Sequence, residues 1–465
     1  MEKQIKNADI VLMSGNMTNI FFDMEFYNYN DAIFNSDIIC NHLNDNRNNL
    51  LKKNGKWIIP NENNESTIKT RLSASSFRTH RKKHNTIYYK INDLNFDNIL
   101  ENKNLNKYKD NYKKIKNYLN HSLVFQNSLL KFGSYGDVTF HTFISLKDVS
   151  IDKNQYNNIS IFIRNLARDL FQDIIKEACI EYIETIEKVI DDKEFKRIFF
   201  EIENIFEFKD KLNYSIERSM YTIAWIHLIY DEDYKKRENN ELAYQIAFKE
   251  EKLDYLHSPA HKAHIYVGWS HTIFFLINNQ NKHKTDEINY HIAPIQNEFA
   301  EWEFIIAMTR NIERLLLHSY RVFESNKFFF IKTTQFKKNI NQLFFFVQRI
   351  MHSYDNTSIT LNQYQAKLME AQKSKWEINK YYDSFDEKSK SLYKIVDYII
   401  QRKKTIQAKV LNGILFIIAL LSTIEISNSI YQIIHHNDSS ELLFSLGPAF
   451  TIILVIILFN RITRD

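Results

Sequence analysis

VLNGILFIIALLSTI, residues 410–424, is apolar apart from Asn412, Ser422 and Thr423, and the pattern extends through ISNSIYQII to Ile434. Its length carries the decision. A helix rising about 1.5 Å per residue needs roughly 20 residues to cross about 30 Å of hydrocarbon. Residues 410–434 satisfy that, and a second stretch follows at 442–460, where LLFSLGPAFTIILVIILF runs from Leu442 to Phe459 without a charge. A buried helical hairpin in a soluble core is the alternative; two such stretches in tandem favour two membrane-spanning helices joined by an outer loop at 435–441. Arg402, Lys403, Lys404 and Lys409 precede the first stretch, Arg461 and Arg464 lie in the basic tail at 461–465, and the loop holds no Lys or Arg. The positive-inside rule then predicts a multi-pass protein with both termini cytoplasmic.

Upstream, steps of three and four from Leu361 give Tyr364, Leu368, Ala371, Lys375, Ile378, Tyr382, Phe385, Ser389, Leu392, Val396, Ile399, Lys403, Ile406 and Val410. Nearly all are apolar or aromatic, and a sustained 3.5-residue period is the seam of a coiled coil or bundle. Neither proline nor glycine falls between Pro294 and Gly413, which continuous helix explains best. A helical region is therefore expected over 291–409, with a stalk helix over about 357–409, roughly 78 Å long, capped by Asp355, Thr357 or Ser358. The seam points either to packing on the chain's own domain or to self-association about an axis. Asn412, Ser422, Thr423 and Glu425 are costly against lipid and tolerable against a partner or a water-filled axis, which favours a homo-oligomer. A ring of Glu425 carboxylates near the outer mouth would favour cations.

Residues 1–290 are predicted to form a mixed α/β (α+β) cytoplasmic domain. Aromatics make up 14% of the chain against only 7 Gly and 4 Pro, which disfavours disordered and turn-rich all-β classes. The net charge of +5, from 61 basic and 56 acidic residues, is too even for a dedicated nucleic-acid binder. Two cysteines, Cys40 and Cys179, suggest no disulfide framework. Met1–Asn30 has the acidic residues Glu2, Asp9, Asp23 and Glu25 and no basic start followed by an apolar block, so no secretory signal is expected. Strands are expected at 9–13, 19–27, 56–60, 86–91, 138–146, 220–230 and 263–277, a helix at 160–191, and surface loops at the Asn-rich 41–54 and 61–66.

With seven glycines in the whole chain, Walker and Rossmann fingerprints are excluded, and KFGSYGD at 131–137 is a turn signal. A nucleotide would have to be held by side chains. FRTHRKKH at 77–84 groups Arg78, His80 and Arg81, enough charge to grip phosphate, although a solvated loop is the commoner meaning of such a run. HSPAHKAHIYVGWSH at 257–271 places His264 and His271 about Trp269, and with Trp225 these are candidates for an adenine-stacking pocket; core packing is the commoner role of such aromatics. His257 and His261 would suit a metal if helical, but Pro259 interrupts them and no metal site is expected. No Ser elbow, HExxH or Cys–His arrangement appears, so the protein is not expected to be an enzyme.

The order of a cytoplasmic mixed α/β domain, a very long helix, a first span entered by KVL at 409–411, a short outer loop, a second span and a basic tail resembles the CorA family of divalent-cation channels. The match covers about residues 340–465. The family's Gly-Met-Asn triplet is absent, with Ser429, Ile430 and Tyr431 at the corresponding place, so the resemblance does not carry magnesium selectivity with it. A CorA-like body without the triplet resembles the membrane effectors of type III CRISPR systems. The resemblance implies a prokaryotic inner-membrane homo-oligomer, pentameric by family habit with a tetramer as the alternative. It would be gated by a nucleotide messenger such as S-adenosylmethionine joined to AMP, or a cyclic oligoadenylate, and act in antiviral defence by ion leak or membrane disruption. Leu411, Asn412, Leu415, Ala419, Ser422, Glu425 and Ser429 would line its pore. A divalent-cation (Mg2+/Co2+) transporter with an altered filter, and a membrane-anchored sensor or scaffold, are the alternatives.

Overall fold

In the computed structural model the described residues are 4–18, 20–22, 36–59, 87–101, 103–132, 138–189, 199–201, 216–231, 235–247, 252–258, 262–277, 285–324, 341, 345 and 363–435. The chain begins with β1 (Asn7–Thr18), β2 (Ile20–Phe22), α1 (Ser36–Asn46), α2 (Asn49–Asn54), β3 (Gly55–Ile58), β4 (Ile87–Ile91), β5 (Leu94–Asn95), α3 (Phe96–Ile99) and α4 (Lys109–Lys116). It continues with β6 (Val124–Phe132), β7 (Val138–Leu146), α5 (Lys153–Val189), β8 (Phe199–Glu201), β9 (Ile216–Asp231), α6 (Lys236–Ile246), β10 (Asp254–Ser258), β11 (Ala263–Val267) and β12 (His271–Ile277). The helices α7 (Thr285–Glu324), α8 (Gln363–Lys375) and α9 (Ile378–His435) complete it.

These elements fall into two compact units, one of Met1–Asn204, Lys209–Asn311 and Phe345–Asp386, the other of Ile205–Phe208, Ile312–Phe344 and Glu387–Asp465. The first is built on a ten-stranded mixed sheet in the order β10-β11-β12-β9-β1-β7-β6-β4-β3, with β5 paired to β6. Only β9 and β12 run parallel; the other pairs are antiparallel. The central strand β1 reads DIVLM because both of its faces are covered. Ala8, Ile10 and Leu12 join a core with Ile159, Ile163, Leu166, Ala167 and Ile175 of α5. Val11 and Met13 join a second core with Ile292, Ile295, Phe299, Trp302 and Ile306 of α7, Leu368 of α8, Trp376 and Ile378. The first unit is thus helix, sheet, helix in three layers.

Several expectations change here. The Asn-rich stretch 41–54 is not a loop: it forms α1 and α2, burying Leu43 and Leu51, and Asn48 caps α2 by accepting from Leu51 N at 2.9 Å. The helix expected at 160–191 starts earlier and spans Lys153–Val189. The strand expected at 263–277 is two strands about a turn at Gly268–Ser270, and β6 and β10 appear where none was expected. Residues 61–66, 133–137 and the caps Asp355, Thr357 and Ser358 lie outside the described residues.

The stalk is not one rod. It is interrupted at Trp376–Glu377, where Glu377 takes φ 52°, a left-handed conformation unfavourable for a residue with a Cβ. Tertiary packing explains the break. Trp376 is buried, stacks on Trp302 at 5.3 Å and donates from Nε1 to Trp269 O at 2.5 Å. The seam is also occupied by this chain: Leu368, Ile378 and Phe385 are buried in the first unit, and Ser389, Leu392, Val396, Ile399 and Lys403 in the second. As far as Lys403, the heptad pattern therefore records intrachain burial. Within the second unit, Lys388 of α9 pairs with Glu313 of α7 at 3.5 Å.

Candidate functional site

Beyond Lys403 the character of α9 reverses. The helix continues unbroken to His435, and among the described residues it is the one helix long and apolar enough to cross a membrane, with none of its most apolar window buried. Val410, Leu411, Leu415, Phe416, Ile417, Leu420, Leu421, Ile424 and Ile426 are all exposed, Phe416 by 68%. Burying one such side chain is worth about 1.5–3 kcal/mol, so water contact along this belt forgoes on the order of 10 kcal/mol. Thr423 Oγ donates to Ala419 O and Ser427 Oγ to Thr423 O, both at 2.8 Å, so these hydroxyls are satisfied inside the helix and need no partner from a bilayer.

The seven residues assigned to a pore lining all lie on α9. At 100° per residue Leu411, Leu415, Ala419, Ser422, Glu425 and Ser429 share one face, with Asn412 at its flank. Asn412 and Ser429 are exposed, and Ser422 and Glu425 partly so. The outer loop, the second span at 442–460 and the tail lie outside the described residues, apart from His435 at the end of α9.

The candidate ligand residues of the sheet do not form one pocket. Arg78, His80, Arg81 and His261 lie outside the described residues. Trp225 of β9 and His271 of β12 do come together, with near-parallel rings 6.2 Å apart, and His227, which sequence reasoning missed, stacks on both at 5.8 and 5.5 Å. All three are buried. His227 Nδ1 meets the Tyr156 hydroxyl of α5 at 2.9 Å, and His271 Nδ1 meets Ser270 Oγ at 2.6 Å. Burial, with a smaller contribution from His271, holds the His227 pKa well below that of a free histidine; burial pushes the Tyr156 phenol up. The ladder lies buried on the face of the sheet that packs against α5.

Trp269 belongs elsewhere. It sits in the β11–β12 turn, 49% exposed, and meets Trp302 edge-on at 5.6 Å in the layer of α7, whereas Trp225 and His271 face α5. His264 is four residues along the sheet from that ladder, opposite Phe275. Its Nδ1 meets the Tyr255 hydroxyl at 2.7 Å and its ring stacks on His257 at 4.3 Å, with Lys236 over Tyr255 at 5.1 Å. His257 is in strand β10, so the helical metal spacing does not arise, and among the described residues no group of three His, Cys, Asp or Glu is placed to hold a metal.

Another residue missed from sequence is His141 on β7. It is 8% exposed, faces the α7 side, and has no hydrogen-bond partner for Nε2 among the described residues. Burial, aided by the charge of Lys131, pushes its pKa down to about 4. The alternation of inward and outward residues along VTFHTFISL was the signal that would have placed it.

No protein-family model matches the chain, and no curated protein sequence is significantly similar to it.

Proposed function

We propose that the chain is a CorA-like membrane protein that self-associates through its C-terminal spans and couples a nucleotide signal, received by the sheet domain, to ion leak in antiviral defence. The observation that carries this reading is the exposed apolar belt of α9, continuous with a helix whose preceding seam is buried. A water-soluble protein would have to hide the belt; a bilayer covers it at no cost to the backbone, whose hydrogen bonds are internal to the helix. Ser422, Glu425 and Ser429, aligned on one face of the belt, favour a conduit over a plain anchor, because a pure anchor has no use for a carboxylate within its apolar stretch.

The test begins with partition. The full chain is expected in the membrane fraction, resistant to high salt and alkaline carbonate, and a chain ending at Lys409 is expected in the soluble fraction; a full chain freely soluble without detergent overturns the reading. In vesicles loaded with a fluorescent ion reporter, Leu415→Asn is expected to change messenger-triggered leak at least tenfold, because a hydrophobic constriction gates by dewetting. Unchanged leak and unchanged cell viability would remove Leu415 from the conduit.

A further inference from the structure

Just before the apolar belt, α9 separates its charges by face. Between Asp397 and Glu425 the chain has no other acidic residue and four basic ones, Arg402, Lys403, Lys404 and Lys409. Val396, Ile399, Ile400 and Lys403 are buried on one side of the helix, whereas Lys404, Thr405, Ala408 and Lys409 are exposed on the other. At 3.6 residues per turn the exposed four lie within an arc of about 140°. Arg402 and Lys403 already have partners; Lys404 and Lys409 make no hydrogen bond or ion pair among the described residues.

Along the axis Lys404 stands about 9 Å and Lys409 about 1.5 Å before Val410. With the belt in a bilayer, the headgroup layer extends about 5–8 Å beyond the hydrocarbon on each side, and flexible lysine stems set their ammonium groups within it. Both charges then fall at the depth of lipid phosphates. One turn beyond Lys409 is Gly413, where a Cβ would meet nothing within 4 Å. Glycine is unfavourable inside a helix, and here it leaves a notch in the helix surface between Lys409 and the exposed Phe416. A free phosphate gains little from exposed lysines in water, whereas a lipid adds the burial of its chain against the belt.

We infer that this face seats an anionic phospholipid, its phosphate held between Lys404 and Lys409 and an acyl chain lying in the Gly413 notch against Phe416. The inference rests on the membrane reading of α9 and deepens it by naming the lipid class that the span selects. The two can fail separately: a span that enters bilayers without preference among lipids leaves the membrane reading standing and removes the seat.

The experiment reconstitutes the full chain carrying Phe416→Trp into vesicles of mixed phosphatidylcholine and phosphatidylglycerol, with bromine on the chains of one lipid or the other. Quenching beyond that of the chain with Phe416 reports which lipid lies against the notch. Brominated phosphatidylglycerol is expected to be preferred at least fivefold, since each lysine near an anionic surface contributes about that factor. The preference should fall to near one in Lys404→Gln combined with Lys409→Gln and persist in Lys404→Arg combined with Lys409→Arg. Gly413→Leu, which fills the notch, should weaken quenching by both lipids. Equal quenching by the two lipids, or a preference that the double Gln variant leaves intact, overturns the seat alone. Quenching by neither lipid overturns the membrane reading and the seat with it. Relief of the quenching by glycerol 3-phosphate, a headgroup without chains, would show a free-phosphate site and overturn the lipid assignment.

Discussion

Replacing Gly15 by alanine is expected to destabilise the sheet unit by about 1–3 kcal/mol, the range of an overpacked core site whose neighbour must be displaced. A Cβ at Gly15 would stand 1.8 Å from Glu303 Oε2, 1.9 Å from its Cδ and 2.3 Å from Oε1. A flexible carboxylate would ordinarily swing aside. Glu303 is buried, though, on the same α7 surface that carries Trp302 and Ile306 into the core, and a displaced buried carboxylate loses whatever satisfies it. The glycine is needed for close approach, at the point where the β1–β9 register begins to slip. A double-mutant cycle separates this from a general weakness of glycine replacement. Glu303→Ala opens the space, so Gly15→Ala made in that background should cost little, giving a coupling of about 2 kcal/mol. Thermal unfolding followed by tryptophan fluorescence measures it; strictly additive costs would show that the carboxylate is not what Gly15 accommodates.

The parts of the fold legible from sequence are those where one physical demand dominates. β1, β4, β7 and β9 are strands covered on at least one face, and their runs of β-branched and aromatic residues announce it. The apolar stretch of α9 is equally plain, a run long and apolar enough to cross a membrane that leaves nine large apolar side chains exposed. The failures have particular causes. VFQNSLLKF of β6 mixes Gln, Asn, Ser and Lys among its apolar residues because its second face is half-open, and Asn127 adopts φ 49° at a bulge, which breaks the alternation. DYLHS of β10 is an edge strand with an open side. In α1 and α2 the compositional bias toward Asn hides a usable signal, the cap at Asn48, behind residues that usually mean loop. The break at Trp376 is invisible locally, since nothing in KSKWEIN disfavours a helix; Trp302 and the Trp269 carbonyl, far away in sequence, impose it.

The candidate ligand residues show the same limit. Spacing brought His264, Trp269 and His271 into one segment, yet a strand, a turn and a strand send them to three surroundings. Trp225 and His271 meet only because β9 and β12 pair in parallel with those two residues opposite each other, and a register between distant strands is not written in either one. His227 follows once that register is known, since it is two residues on from Trp225 and shares its face.

Those buried histidines should make the sheet unit acid-labile well above the range in which its carboxylates titrate. An unfolded histidine has a pKa near 6.5; His141 in the fold is pushed down to about 4, and His227 well below its ordinary value. Between those limits the unfolded chain binds protons that the folded chain refuses. Stability is therefore fully present above about pH 6.5 and falls as the pH drops toward 4, at up to about 1.4 kcal/mol per pH unit for each histidine. For His141 alone the loss approaches about 3 kcal/mol at pH 4. Asp97 and Asp169 act lower: burial opposes their ionisation, but bonds from Lys116 and Ser122, and from Lys107 and Tyr108, outweigh it and leave both below the usual carboxylate range. Their contribution is lost only as the pH falls below about 3.8. Glu181, raised by burial, takes up its proton in the fold first and offsets part of the loss near pH 4.5. Denaturant midpoints from pH 7.5 to 4.5 should fall steeply in the natural chain and more shallowly in His141→Gln, with Lys131→Gln ending the steep region at a higher pH and so reducing the total loss, because removing that charge eases protonation of His141 in the fold. A profile identical in all three chains would place the acid sensitivity outside His141.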